Sequence, residues 1–190
     1  MKQSLGAKTI LCPLPVLVVG TYDENGRPNI MTVSWGGICC SAPPCAAVSL
    51  RTNRHSYGGI VKNEAFTVNV PSARQVREAD YAGTYSGRDE DKFAALGLTA
   101  IRSDLVNAPY VDEFPLVLEC ALRHTIEIGV HTQFIGEIKD VKIEADVLDE
   151  NGRLDVAKLQ PFIYAAGEGG YWAVGNPLGR SYSIGRKLTR

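Results

Sequence analysis

The stretch that decides the fold runs from residue 16 to residue 51, VLVVGTYDENGRPNIMTVSWGGICCSAPPCAAVSLR. Residues 16–22 are a β-branched apolar run, Asp23-Glu24-Asn25-Gly26 is a turn, and residues 28–35 are a second run, so the three together predict a hairpin. A third strand over residues 45–50 is entered from Ala42-Pro43-Pro44, where two prolines cannot serve a central ladder. Between these strands, Trp35-Gly36-Gly37-Ile38-Cys39-Cys40-Ser41 is almost free of charge. Its glycines admit either a flat ligand lying close to the backbone or a tight turn packed on the core by Trp35.

Working outward, AFTVNV at residues 65–70 alternates Phe66, Val68 and Val70 against Thr67 and Asn69, the period of a half-buried strand. Residues 55–62 read as a short helix around Gly58-Gly59. Ser72 is placed to cap a helix over residues 73–81 that ends near Gly83. A further helix over residues 90–96 stops at Gly97. Residues 115–129 and 132–145 are two long strands joined at Val130-His131, and residues 153–163 are weakly helical. The tail from residue 165 is rich in glycine and aromatics, and no repeat or linker divides the chain. The pattern predicts one mainly β domain over residues 1–190, an antiparallel barrel with small peripheral helices.

Composition excludes several classes. Twenty basic against twenty-one acidic residues give a formal charge of -1, without the basic excess a non-specific nucleic-acid binder carries. The longest apolar run, ILCPLPVLVVG from residue 10, is too short for a membrane helix and is broken by Pro13 and Pro15. No small-residue cleavage site follows it, so a cytoplasmic protein is expected. Five cysteines, two of them adjacent, make a poor disulfide framework and suit a reducing compartment. Cys39, Cys40 and Cys45 precede His55, but adjacent cysteines do not give zinc-ligand spacing, and no metal is expected.

Nucleotide-loop, zinc-protease and serine-elbow motifs are all absent. What concentrates instead is a set of hydroxyls, glycines and one guanidinium: Thr32 and Ser34 on one strand, Ser49 and Arg51 ending the next, and Ser56, Tyr57, Gly58 and Gly59 opening the helix after it. Short hydroxyl donors, an arginine fork and free N–H groups at a helix start are what a phosphate monoester requires.

Taken together, PVLVVGTYDENGRPNIMTVSWGGICCSAPPCAAVSLR, HSYGGIVKNEAFTVNVPS, SGRDEDKF and IGVHTQFIGEI give a sequence that resembles the flavoredoxin branch of the flavin-reductase-like FMN-binding split-barrel family. The resemblance covers nearly the whole chain. It implies a six-stranded antiparallel Greek-key barrel that forms a homodimer with FMN near the subunit interface. It further implies Met31, Thr32, Val33, Ser34 and Trp35 along the flavin and Cys39 and Cys40 near its ring. Ser49, Leu50 and Arg51 are implied beside the phosphate with Ser56 and Tyr57 beyond, and Asn69, Lys92 and Phe93 reach in from neighbouring elements. Where flavin reductases of the family carry Gly-Asp-His, this chain has Gly129-Val130-His131, so the acid is missing and His131 is retained as the flavin-edge or nicotinamide-side residue. Tyr171 and Trp172 stand as a flavin cover, a dimer seal or plain core. The implied function is an FMN oxidoreductase carrying electrons or hydride, with NAD(P)H or a redox protein as donor. An NAD(P)H-dependent flavin reductase and a non-redox FMN- or haem-binding module are the alternatives.

Overall fold

The computed structural model describes residues 1–188. After a two-residue strand β1 (Leu14–Pro15), the predicted hairpin forms as β2 (Leu17–Tyr22) and β3 (Pro28–Val33). Its turn is built by Asp23: Oδ1 accepts from the backbone N–H of Asn25 (2.8 Å) and Arg27 (2.9 Å), while Arg27 Nε donates to Oδ2 at 3.0 Å. Gly26 takes φ +77, which glycine alone adopts without strain. The same pentapeptide, Asp-Glu-Asn-Gly-Arg, recurs at residues 149–153 and closes in the same way, with Asn151 N and Arg153 N both 2.9 Å from Asp149 Oδ1 and Gly152 at φ +71.

The chain continues as β4 (Gly36–Ser41), β5 (Pro44–Arg51), α1 (His55–Asn63) and β6 (Ala65–Val70). A cap follows, with Ser72 and Gln75 forming a capping box ahead of α2 (Val76–Thr84) and Asp91 capping α3 (Lys92–Leu96). A small pair, β7 (Ala100–Arg102) and β8 (Pro109–Val111), leads to the long hairpin β9 (Leu116–Ile128) and β10 (His131–Ile143). The chain closes with α4 (Val156–Leu159), β11 (Phe162–Ala165) and β12 (Gly170–Ala173).

The main sheet is antiparallel in the order β3-β2-β6-β9-β10-β5-β4. β3 pairs with β2 through Val33, and after Ser34-Trp35 the same run of chain pairs with β5 as β4. Ser49 N donates to Trp35 O at 2.8 Å, joining the bend to β5. One bent strand therefore bridges both ends of the sheet, and the circuit β2, β3/β4, β5, β10, β9, β6 closes as a split barrel of six strands. Seven hydrogen-bonded strands against the six expected reflect that bend. The 35–41 stretch is accordingly a strand, and what approaches Gly36 is β5: a Cβ there would lie 2.7 Å from Ala47 O.

The barrel is filled by Leu17, Val19, Val33, Val48, Leu50, Ile60, Phe66, Val68 and Phe134. Because β2 and β3 also bury their outer faces, Val16, Val18 and Ile30 form a second core with Ala79, Ala82, Phe93, Val111 and Phe162 under the helical cap. This explains why residues 16–19 are continuously apolar rather than alternating. Two expectations are corrected at the C-terminal end. Helix is confined to Val156–Leu159, the end of the stretch read as helical instead forms β11, and the glycine-aromatic tail supplies β12; β11 pairs with β1 on one side and β12 on the other in a three-stranded sheet. Tyr171 packs there on Phe162 and donates to Asp80 Oδ1 at 2.9 Å, whereas Trp172 is 56% exposed.

Gly136 on β10 faces the packed interior, where an added Cβ would sit 2.7 Å from Phe66 Cζ and 2.8 Å from Cys120 Cβ. Gly136→Ala is expected to cost about 1–3 kcal/mol through overpacking. Urea unfolding compared with wild type measures it, and an unchanged midpoint would show that the ring has room to give.

Candidate functional site

The bend in the barrel wall opens a cleft of about 160 Å³. Met31, Thr32, Val33, Ser34 and Trp35 line one side, Ser49, Leu50 and Arg51 the other, and Arg54, Gly83 and His131 complete it. These residues meet for topological reasons: the bend carries 31–35 across the split, β5 ends beside it, and register places His131 opposite Arg51. His131 opens β10 directly after Gly129-Val130, with Gly129 at φ +53. Its ring lies 4.6 Å from the Trp35 ring, centroid to centroid, at 41°. The mouth of the cleft is thus an aromatic pair with one titratable member.

A second cavity of about 220 Å³ adjoins the first and shares Met31, Arg54 and Gly83 with it. Its wall carries Asn29, Asn53, Arg54, His55, Ser56, Ser86, Arg88 and Lys92, with Asp89 as its carboxylate. α1 begins here without a side-chain cap, so the positive end of the helix faces this wall. Ser56 is buried and accepts from Asn29 Nδ2 at 2.8 Å. Lys92 is 3% exposed, and its Nζ donates to Ile30 O at 2.7 Å and Ala82 O at 2.8 Å, tying α3 to β3 and α2. No carboxylate pairs with this ammonium among the described salt bridges; burial, helped by the Arg54 charge, pushes its pKa down to about 8. A cationic wall short of counter-charge is a wall built for an anion.

The structure gathers Met31, Thr32, Val33, Ser34, Trp35, Ser49, Leu50, Arg51 and His131 around the first cavity and Ser56 and Lys92 at the second. The Thr32 hydroxyl is committed to Ala79 O, holding α2 against β3. Five other residues have different employment. Asn69 is fully buried and clamps three elements, donating to Val18 O (2.9 Å) and Thr67 Oγ1 (3.0 Å) and accepting from Val111 N (2.9 Å). Phe93 belongs to the core beneath the cap. The Tyr57 ring packs edge-on against Phe134. Cys39 and Cys40 are exposed on β4 outside both cavities, and no cluster of metal-ligating side chains exists among the described residues. Sequence reasoning passed over Asn29, Arg54, His55, Gly83 and Arg88. The only linear signal was Arg51-Thr52-Asn53-Arg54-His55, a second guanidinium immediately before a helix start.

Residues 10–172 match the model of the flavin reductase like domain, and the chain belongs to that family. The flavoredoxin of Desulfovibrio vulgaris (Miyazaki F) superposes with a TM-score of 0.93 at 52% identity, over 97% of this chain and 100% of that one. The flavoredoxin from Methanosarcina acetivorans superposes with a TM-score of 0.92 at 28% identity, over 100% of both. A flavin reductase of Pseudomonas putida is 27% identical over 162 residues, 85% of each chain. The chain spans 65% of a matching Archaeoglobus fulgidus protein, at 34% identity over 115 residues, and 57% of an Aeropyrum pernix one, at 28% over 152.

The Asn69 clamp separates folding from binding. Asn69→Ala leaves a buried N–H and a buried carbonyl without partners and is expected to destabilise by about 2–4 kcal/mol. Flavin affinity of the folded fraction should stay near wild type, and a selective loss of affinity would place Asn69 at the site.

Proposed function

We propose that the protein binds FMN and works as a flavoredoxin-type oxidoreductase, with the ring system at the Trp35–His131 cleft and the phosphate in the cationic cavity. One observation carries this reading: an aromatic-walled cleft and an anion-seeking cavity are continuous through Met31, Arg54 and Gly83. That two-ended donor set suits a molecule with a flat heterocycle at one end and a phosphate monoester at the other. The flavoredoxin and flavin reductase relatives support it. Bound FMN supplies hydride and single-electron chemistry.

The chain's own residues bind, orient and tune. Trp35 and His131 close one face of the cleft and limit water there. His131 can donate one N–H to a flavin carbonyl, or as imidazolium stabilise negative charge that grows on reduction. A donor used chiefly in the reduced state raises the potential, while one used equally in both states only tightens binding. Arg54 reaches both cavities, so it is the better-placed phosphate ligand, with Arg51 at the ring-side cleft. Lys92 offers a buried positive charge that a phosphate neutralises.

A homodimer is part of the same reading. β9 pairs with β6 only up to Ala121, leaving the outer edge of its distal half unpaired. Ile126, Ile128 and Val130 are exposed on the β9–β10 hairpin beside His131 at the cleft end of the barrel. An open strand edge bearing apolar side chains is a surface that a second copy covers. Five free thiols agree with a cytoplasmic setting. A donor of either kind, NAD(P)H or a redox protein, is compatible with the open cleft. The resemblance to a Pseudomonas putida flavin reductase favours testing NAD(P)H first.

The test is an anaerobic absorbance titration of the flavin-loaded protein with NADH, NADPH and dithionite in turn. Bleaching by dithionite is expected, and bleaching by a nicotinamide as well would make it a flavin reductase. Failure to take up FMN at all would overturn the function. Arg54→Ala should weaken FMN by roughly ten- to a hundred-fold, the scale of one charge-assisted hydrogen bond, and leave riboflavin nearly unaffected. His131→Ala should lower the flavin potential or slow reduction more than it weakens FMN. Sedimentation should show a dimer, and a flavin-loaded monomer would remove the interface from the proposal.

A further inference from the structure

At the floor of the cationic cavity lies a pair that the electron chemistry does not use. His55 opens α1 and lines both the phosphate-side cavity and a third one beside it, of about 120 Å³. Its Nε2 is shut off from solvent, has no hydrogen-bond partner among the described residues, and lies 3.8 Å from Asp23 Oδ2. Asp23 is itself buried, its side chain 4% exposed. The ring therefore brings one nitrogen near a buried carboxylate, and it shares its cavity with Ser56, Arg54 and Arg88. Gly87 seals the pair from above, since a Cβ there would lie 2.6 Å from His55 Cδ2.

We propose that Asp23 and His55 form a proton-coupled phosphate ligand: His55 takes up a proton when a phosphate monoester enters and holds it as an imidazolium between Asp23 and the phosphate. The proposal rests on the reading above that the FMN phosphate occupies this cavity.

The charges facing His55 decide its state. Before binding, burial lowers its pKa most, Asp23 opposes that, and Arg88, Lys92 and Arg27 add to the lowering. Asp89 lines both this cavity and the third, and Glu90 and Asp91 line the third. The balance keeps the empty ring neutral near pH 7, because its pKa lies below the ordinary 6.5. A phosphate dianion offsets the positive charge of Arg54, Arg88 and Lys92 in one step and becomes a second anionic neighbour of the ring. Both effects favour the imidazolium. The proton comes from solvent and returns there on release. The contribution to affinity is then fully present below the free-state pKa and disappears as pH rises through the bound-state pKa. Each unit of upward shift corresponds to about tenfold in affinity.

The experiment follows the His55 ring resonances by NMR across pH 5.5–9 in the full-length chain, first flavin-free, then with FMN, inorganic phosphate or riboflavin added. Calorimetry of FMN binding at pH 7.5 in buffers of different ionisation heat runs alongside, for wild type and His55→Gln. At that pH the FMN phosphate is already a dianion, its second pKa being about 6, so it takes up no proton of its own. FMN and phosphate are expected to raise the His55 titration by about one unit or more and riboflavin to leave it in place. The matching proton uptake should be lost in His55→Gln, apart from the share taken by Lys92. An unmoved His55 titration, with FMN still preferred over riboflavin, would overturn the pair's role and leave the phosphate placement standing. Equal binding of FMN and riboflavin by wild type would remove the phosphate from this cavity, and the inference with it. The wild-type titration decides the matter even if His55→Gln fails to fold.

Discussion

The backbone at Ser34-Trp35 leaves one neighbour and joins another, and the remaining architecture follows from that change of partner. Up to Val33 the strand belongs to β2, and from Gly36 it belongs to β5. Ladder hydrogen bonds must be satisfied on both sides of the bend, and the bond from Ser49 N to Trp35 O shows how closely β5 follows. A wall made this way has a gap where the strand crosses over, and the gap cannot be filled by a further strand without breaking one of the two ladders. The cleft is thus a by-product of barrel closure. Residues 31–35 line it because they are the crossing, and Gly36 lets the second ladder begin at once.

Electrostatics then divides the opening. A chain with a formal charge of -1 has no surplus of basic residues to spend, yet Arg54, Arg88 and Lys92 converge on one wall. Lys92 shows the cost, since it gives up water for two backbone carbonyls and no carboxylate. The same lysine is structural, because those carbonyls belong to β3 and α2. Ligand charge and cap position are therefore coupled through a single side chain.

The fold was largely legible because its signals are local. β2, β3, β6 and the β9–β10 hairpin were readable from β-branched runs and turn residues, and the caps from the Ser72 hydroxyl and from Gly97, which lacks the Cβ that a left-handed C-cap disfavours. The bend was not legible, since Gly36-Gly37 after the 28–35 run reads equally as a turn or a ligand contact, and nothing there marks β5 as the next partner. β11 and β12 were missed because their strand identity depends on the pairing of β11 with β1, a two-residue segment that itself holds a proline. Within the site, the residues on the crossing were within reach of sequence and resemblance. Asn69 and Phe93 lie on neighbouring elements but turn to the interior, and alternation alone cannot say which buried polar residue clamps the backbone and which meets a ligand. Arg54 was overlooked because a loop cation gives no periodic signal, and His55 was weighed only as a partner for the cysteines.

The twin Asp-Glu-Asn-Gly-Arg turns bear on how the buried carboxylate at residue 23 came to be usable. At residue 149 the aspartate stands in an open loop, with no side-chain partner from another element among the described residues, and still accepts the N–H groups two and four residues on. Orientation is thus written into five residues and is reached without help from the fold. At residue 23 the barrel receives that carboxylate already immobilised, with little rotational freedom left to lose. Burial, which would otherwise require the tertiary structure to hold a charged side chain in one rotamer, needs only to bring His55 alongside. The hairpin acts as a rigid arm that delivers an aimed dipole, and its precision is inherited from a turn that forms within a single strand connection.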